Sequence, residues 1–587
     1  MNGQKIKHAR PIRWIALVPW LFVAMLAHVG VMLVLYVWRP EIGPPDDPIT
    51  IVSLTPLDNP YTEPVGLPDP PPGQETVEPS VKKPAPPPDE TDPEQSPPDT
   101  ANTAAERPIG VLPESVERAL AGDTGDIADP SRSGSAALDP YVNRSGEARG
   151  DALGRYGGDE ATESAVRAGL EWLAAHQEAD GSWDRVHYDL LCPEADRCRE
   201  TAAVATQIDS APAVTGLALL AFLGSGHTHL EGDYRDEVGR GLRAILDRQL
   251  ASGSFSPSTN LEMYNHTIAT LAVAEAYGIT HDPSLALPLS AAVTHLVRAQ
   301  QSGGGWDYKS DLATGRNDMS ITGWAVMALK SAATAGVRVP DLTLLGVIDF
   351  VTNATDVDGY VYYANVGTGT VVDNAANTLT RRYGPATTAI GAVVRQALGW
   401  RADATVLKRQ TALMLGEPPD VDRLRGGDPS GLHSEYYWFY GTLAVFNQGG
   451  DAWSTWNHRL RSALLSTQDR PVDARGKRRH SFGSWPAFGR GWGKWGRTGS
   501  RIYSTALAVM MLESYYRYVP AYVASPALVR TSTLRTGMAR ADRAHRVALV
   551  RAATDLSVDV GEPILVDALH DPDARIRVFA AIGLTRH

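Results

Sequence analysis

The chain has 587 residues and a formal net charge of −12, a length that allows several domains and an acidic balance that excludes nucleic-acid binding as the main activity. Its two cysteines, Cys192 and Cys198, exclude a disulfide-built scaffold.

From Trp14 to Trp38, the only polar side chain besides the bracketing tryptophans and Tyr36 is His28. The run predicts a membrane-spanning helix over 14–38. Lys5, Lys7, Arg10 and Arg13 precede it and only Arg39 follows closely, so residues 1–13 are expected in the cytoplasm. The bulk is then expected in the periplasm or cell exterior, held by a single-pass inner-membrane anchor. A cleaved signal peptide is the rival reading, but the apolar run is too long and no small-x-small site follows. An ionisable group at mid-membrane is costly, which makes His28 a candidate functional residue; a neutral histidine at a helix contact is the alternative. The stretch AHVGVMLVLYVW, followed by a proline-rich segment, resembles the anchor of TonB-type energy transducers. The resemblance implies a proton-channel partner, although no TonB-like C-terminal domain follows.

Residues 41–114 hold about half of all the prolines, in runs such as KKPAPPPDETDPEQSPPD. Such a segment buries no core and reads as an extended, semi-rigid spacer. With the Gly-, Ser- and Asp-rich stretch behind it, a disordered linker is expected over 39–155.

From about 160, amphipathic helices alternate with helices apolar nearly all round, which are buried ones. Outer candidates lie near 163–177, 234–250, 285–301, 341–353, 402–414 and 453–468. Inner ones are APAVTGLALLAFLG, NHTIATLAVAEAYG, DMSITGWAVMALKSA, GPATTAIGAVVRQALG, EYYWFYGTLAVFNQ and IYSTALAVMMLESYY. Six inner helices wrapped by six outer ones predict an all-α fold, an α/α toroid over 156–520. Outer helices end on a recurring signal: QEADGSW from Gln177, QLASGSF from Gln249, QSGGGW from Gln301, and a stretched form from Gln468 to Gly483-Ser484-Trp485. These segments resemble the QW-type repeats of squalene–hopene cyclases and related prenyltransferase-like proteins. The resemblance implies that glutamine and aromatic tie helix ends together and are not catalytic.

The chemistry of that family is not matched. Asp356-Val357-Asp358-Gly359 lacks the last pair of the cyclases' DxDD acid and reads as a polar turn. The fourth inner helix begins RRYGPATT, without the Asp or Cys of a prenyltransferase zinc set, and His433 stands alone. The reactive GCGEQ of thioester relatives is absent. The carboxylates left as candidate catalytic groups are Asp318, Asp373 and Glu435. Helix starts favour anions, so Arg381, Arg382, His433 and Arg501, with Lys494 and Arg497 of the basic, tryptophan-rich loop at 473–501, are candidate ligand- or anion-binding residues. The same loop also reads as a solvated one whose tryptophans are staples. Its GxGxxG, Gly491 to Gly496, follows no strand and reads as chance. Cys192 and Cys198 lie in an extracytoplasmic loop and are expected to form a disulfide; a metal site with His187 is the other reading.

The tail LVDALHDPDARIRVFAAIGL resembles one HEAT repeat, over 540–587, with Asp571-Pro572 as its turn and Arg577 in its second helix. One repeat cannot bury its own face and must dock on the toroid or a partner. Two functions stay open. In one, the toroid binds an isoprenoid-like lipid, an envelope polymer or a protein partner without catalysis and without a cofactor. In the other it is a terpenoid cyclase- or prenyltransferase-like enzyme with a non-standard acid.

Overall fold

A computed structural model describes residues 140–198, 209–257, 259, 261–366, 370–371, 385–426, 434–487, 495–517 and 527–587. The predicted membrane helix at 14–38, with His28, and the proline-rich spacer lie outside the described residues. No helix among the described residues is long and apolar enough to cross a membrane.

The inner helices are Ala211–Gly224, Glu262–Thr280, Met319–Thr334, Pro385–Leu398, Glu435–Gln448 and Trp495–Leu512, the last broken at Ser500. Each packs on the next, and the sixth packs on the first, so the ring closes. The outer helices are Glu160–Ala175, Arg235–Leu246, Pro283–Arg298, Asp341–Asn353, Thr405–Gly416 and Gly450–Thr467. Val166, Leu170 and Leu173 of the first, and Val238, Leu242 and Ile245 of the second, are buried against the ring, as their spacing requires. The described fold is thus an α/α toroid.

The loop signal is a staple, and its geometry repeats. The Gln177 amide donates to the carbonyls of Gly181 in its own loop and of Glu237 on the next outer helix, both at 2.8 Å. Gln249 does the same to Gly253 (3.1 Å) and Pro288 (2.8 Å). In the third loop the staple is Gln300, one residue before the predicted Gln301, reaching Gly304 (2.8 Å) and Thr343 (2.9 Å). Gln301 turns away to the Asp311 carbonyl instead. The stretched signal closes the circle, because Gln468 reaches Gly483 and, on the first outer helix, Ala165, both at 2.8 Å. The fourth loop reverses the scheme, with Gln410 of the next outer helix donating to the Gly359 carbonyl at 3.2 Å. There Asp356 accepts from the Asp358 and Tyr360 amides, the polar turn read from its composition.

The aromatic half is equally regular. The indole N–H groups of Trp183, Trp306 and Trp485 donate to Leu173, Leu296 and Leu464 carbonyls at 2.7–2.8 Å. The backbone amides of Trp183, Trp306, Val361 and Trp485 donate to inner-helix threonines 215, 322, 388 and 505 at 3.0–3.2 Å. In the second loop His266 takes the threonine's place. Its Nδ1 accepts from the Phe255 amide (3.3 Å) while its Nε2 faces the Ala292 carbonyl (3.0 Å), so the neutral ring is satisfied on both sides. Burial, aided by neighbouring His295, lowers its pKa to about 3. Between that value and the ordinary 6.5, the unfolded chain binds a proton that the folded chain refuses, so the contribution is complete above pH 6.5 and lost as pH falls toward 3. His266→Thr is therefore expected to flatten the fall in unfolding midpoint between pH 6.5 and 4, measured against the parent chain. An unchanged slope would reject this role.

Residues 140–155, expected in the linker, are folded. Val142–Arg144 and the helix Gly146–Arg155 lie at the end of the ring opposite the inner-helix starts, and Arg144 is 2.9 Å from Glu275 of the second inner helix. The tail forms helices Thr531–Arg540, Arg543–Asp555, Val558–Ala568 and Ala574–Leu584. Its first two pack on the fourth outer helix, where Thr533 donates to Asp341 at 2.6 Å. Arg577 donates to the Asp571 and Pro572 carbonyls and so fixes the turn between the last two helices.

Candidate functional site

The inner-helix starts share one end of the ring. Asp318 caps the third: its Oδ1 accepts from the amides of Ser320 (2.9 Å) and Ile321 (3.3 Å) and from the Ser320 hydroxyl (2.5 Å). Its Oδ2 pairs with Arg316 at 2.5 Å, and Arg316 also pairs with Asp307. Both oxygens therefore serve as acceptors for a helix start and a guanidinium, the opposite of a carboxylic acid aimed at substrate. Arg316 sits 4.9 Å above the Tyr308 ring and 5.6 Å from that of Tyr363. Burial opposes its charge, but Asp318 and Asp307 outweigh burial and raise its pKa. A short antiparallel sheet places this cluster: Arg316–Asp318 pairs with Ala364–Val366, which pairs with Thr370–Val371.

Tyrosines surround the capped carboxylate. Tyr264 shares a 2.7 Å hydrogen bond with the Ser320 hydroxyl, Tyr308 bonds Tyr363, and Tyr436 donates to the Ser320 carbonyl at 3.3 Å. Burial, then the charge of Asp318, raises Tyr308 to about 12. Behind them Trp324 stacks on Phe439 at 5.5 Å, and Tyr436 meets Tyr440 edge-on at 5.1 Å. Across the ring Glu435, buried in the first turn of the fifth inner helix, accepts from the Ser504 hydroxyl at 3.2 Å. Burial and then the Glu435 charge hold the neighbouring Tyr503 well above an ordinary phenol.

Arg501, expected to bind an anion, is buried and already engaged: it donates to Asp469 (2.6 Å) and Ser484 (2.8 Å), bracing the last staple loop. In the basic loop Arg478 pairs with Glu171 and Arg479 with Asp196, so both charges tie the loop to the first repeat. Asp373, Arg381, Arg382, His433 and Lys494 lie outside the described residues, as does the side chain of Arg497.

The sulfurs of Cys192 and Cys198, expected to form a disulfide, are both buried and lie 2.9 Å apart, close enough to share a hydrogen bond. Their shared hydrogen bond, helped by His176, lowers the Cys192 pKa, and the same bond together with burial raises that of Cys198. His187 is exposed and bound to Asp184 instead. The histidines beside the sulfurs are His176 and His480, which sequence reading missed. His176 hides in the AAHQ end of an amphipathic helix, and His480 among the basic residues of a distant loop.

No protein-family model and no curated protein matches the chain. Among solved structures, an inactive variant of an alpha-1,6-mannanase from Salegentibacter sp., in complex with alpha-1,6-mannotriose, is similar at 12% identity, over 60% of this chain and 99% of that one, with a TM-score of 0.41. An unsaturated glucuronyl hydrolase specific for heparin is similar at 13% identity, over 61% and 97%, with a TM-score of 0.40. The type II terpene cyclase MstE from Scytonema follows at 13%, over 60% and 98%, with a TM-score of 0.35. It is the closed ring of inner helices, not these scores, that defines the fold.

Proposed function

We propose that the toroid is a binding module, held outside the cytoplasmic membrane by the helix at 14–38, that takes an isoprenoid-like lipid at the inner-helix mouth. One observation carries the reading. Tyr264, Tyr436 and Tyr503, at the starts of three different inner helices, keep 8–9% exposure while residues such as Tyr437, Tyr440 and Ile502 beside them on the same helices keep none. Three nearly buried tyrosine rings at one end of the ring, backed by an aromatic wall, suit an apolar body with a hydroxyl or phosphate head. The engaged state of Asp318 speaks against the cyclase chemistry.

The test is native mass spectrometry of the full chain, extracted in mild detergent from its own membranes. A retained lipid-sized mass is expected, and Tyr436→Phe, which loses one hydroxyl hydrogen bond of about 1 kcal/mol, should weaken retention about fivefold. A bare mass that stays bare after incubation with polyprenyl phosphate would overturn the proposal. The second reading, an enzyme with a non-standard acid, is favoured by the buried Glu435–Ser504–Tyr503 group. It predicts that the bound mass turns over in the parent chain and persists unchanged in Glu435→Gln.

A further inference from the structure

The structure assigns a second site to this chain: we propose that His176, Cys192, Cys198 and His480 bind one zinc ion that locks the last loop of the toroid to its first repeat. Their ligand atoms all lie within 4.8 Å of one another. His176, at the end of the first outer helix, and both cysteines are buried, and His480 is partly so. The His176 Nε2 is 3.3 Å from each sulfur. In a tetrahedral Cys2His2 site with Zn–S near 2.3 Å and Zn–N near 2.0 Å, sulfur and nitrogen stand about 3.5 Å apart and the two sulfurs about 3.8 Å apart. The spacing of His176 from both sulfurs is already there; to admit the ion the 2.9 Å sulfur pair must open and His480 must close in from a spread of up to 4.8 Å.

The surroundings suit a metal. The His176 Nδ1 is 2.7 Å from the Trp172 carbonyl, which sets the tautomer with Nδ1–H donating and turns the Nε2 lone pair to the sulfurs. The ring is stacked on Trp172 at 4.0 Å, which fixes its plane. The His480 Nδ1 is buried and meets no hydrogen-bond partner among the described residues. Its backbone amide is held by Asp196 at 2.8 Å, so the loop that carries it is anchored beside the cysteines. A disulfide, at about 2.05 Å between sulfurs, would use both thiols and leave two imidazole nitrogens aimed at nothing. Zinc would engage all four groups, with the thiols giving up their protons on binding. The ligands come from the first repeat and from the loop after the last outer helix, the seam that Gln468 also crosses to reach Ala165.

The full chain, purified in detergent without chelator, is assayed for zinc by elemental mass spectrometry and for thiols after unfolding without reductant. The expected result is about one zinc per chain with both thiols titratable. Cobalt in its place should give thiolate charge-transfer absorption, and Cys192→Ser should remove both metal and band. His480→Gln, at a partly buried loop position, should pass zinc to a chromogenic chelator at least about tenfold faster at an unchanged secondary-structure content. Thiols that react only after reduction would mean a disulfide and overturn the proposal. So would free thiols with no zinc bound after incubation with the ion.

Discussion

Replacing Arg517 by methionine is expected to destabilise the toroid by about 3–5 kcal/mol, the cost of leaving buried charges without their partner. Arg517 is 1% exposed and sits where the ends of three inner helices meet. One guanidinium nitrogen donates to both oxygens of Glu275 at 2.9–3.0 Å, and the other to Glu513 at 3.1 Å and to the Leu220 carbonyl. Burial pushes Glu513 up to about 7 although Arg517 lowers it, so the carboxyl is poised to take a proton once the cation is gone. The loss should therefore be smaller at pH 5 than at pH 8, where neutralising Glu513 costs more. Adding Glu513→Gln to Arg517→Met should recover part of it at pH 8. Urea unfolding followed by tryptophan fluorescence reads all three. A loss under about 1 kcal/mol would mean that Arg144, 2.9 Å from Glu275, carries the network alone.

Gly304→Ala is expected to cost about 2–5 kcal/mol, combining a left-handed backbone with overpacking. Gly304 has φ +89°, and a Cβ there would lie 1.9 Å from the Gly346 carbonyl oxygen on the next outer helix. Backbone cannot rotate away as a side chain can, so loop and helix must separate, and the Gln300 bonds to Gly304 and Thr343 would stretch with them. Gly476, at φ +77° with nothing within 4 Å, isolates the conformational part. Gly476→Ala should cost only about 1–2 kcal/mol. Equal losses at the two sites would show that close approach to the next helix adds nothing. The same contact recurs where Gly181, Gly253 and Gly483 face the carbonyls of Arg240, Ala291 and Ala168, so each loop glycine gauges one seam of the ring.

What was legible in the sequence is what short-range spacing controls. Helix type follows from the apolar period, because a helix face is set by residues three and four apart, and all six outer and six inner helices lie where that period puts them. The glutamine–glycine–aromatic signal marked the staples, although adjacent glutamines hid that Gln300, not Gln301, is the one in register. The folded stretch at 140–155 was not legible, since what orders it is a distant charge: Arg144 on Glu275. The candidate site was less legible still. Asp318 stood out as an acid at an inner-helix start, but its saturation by Ser320, Ile321 and Arg316 depends on the local fold and the small sheet. Arg501 read as a free cation until the ring set Asp469 beside it. His176 and His480 carry no local pattern that links them. They meet because the last repeat closes on the first, and closure of a ring is decided by packing among residues far apart in the chain rather than by the propensity of any one segment.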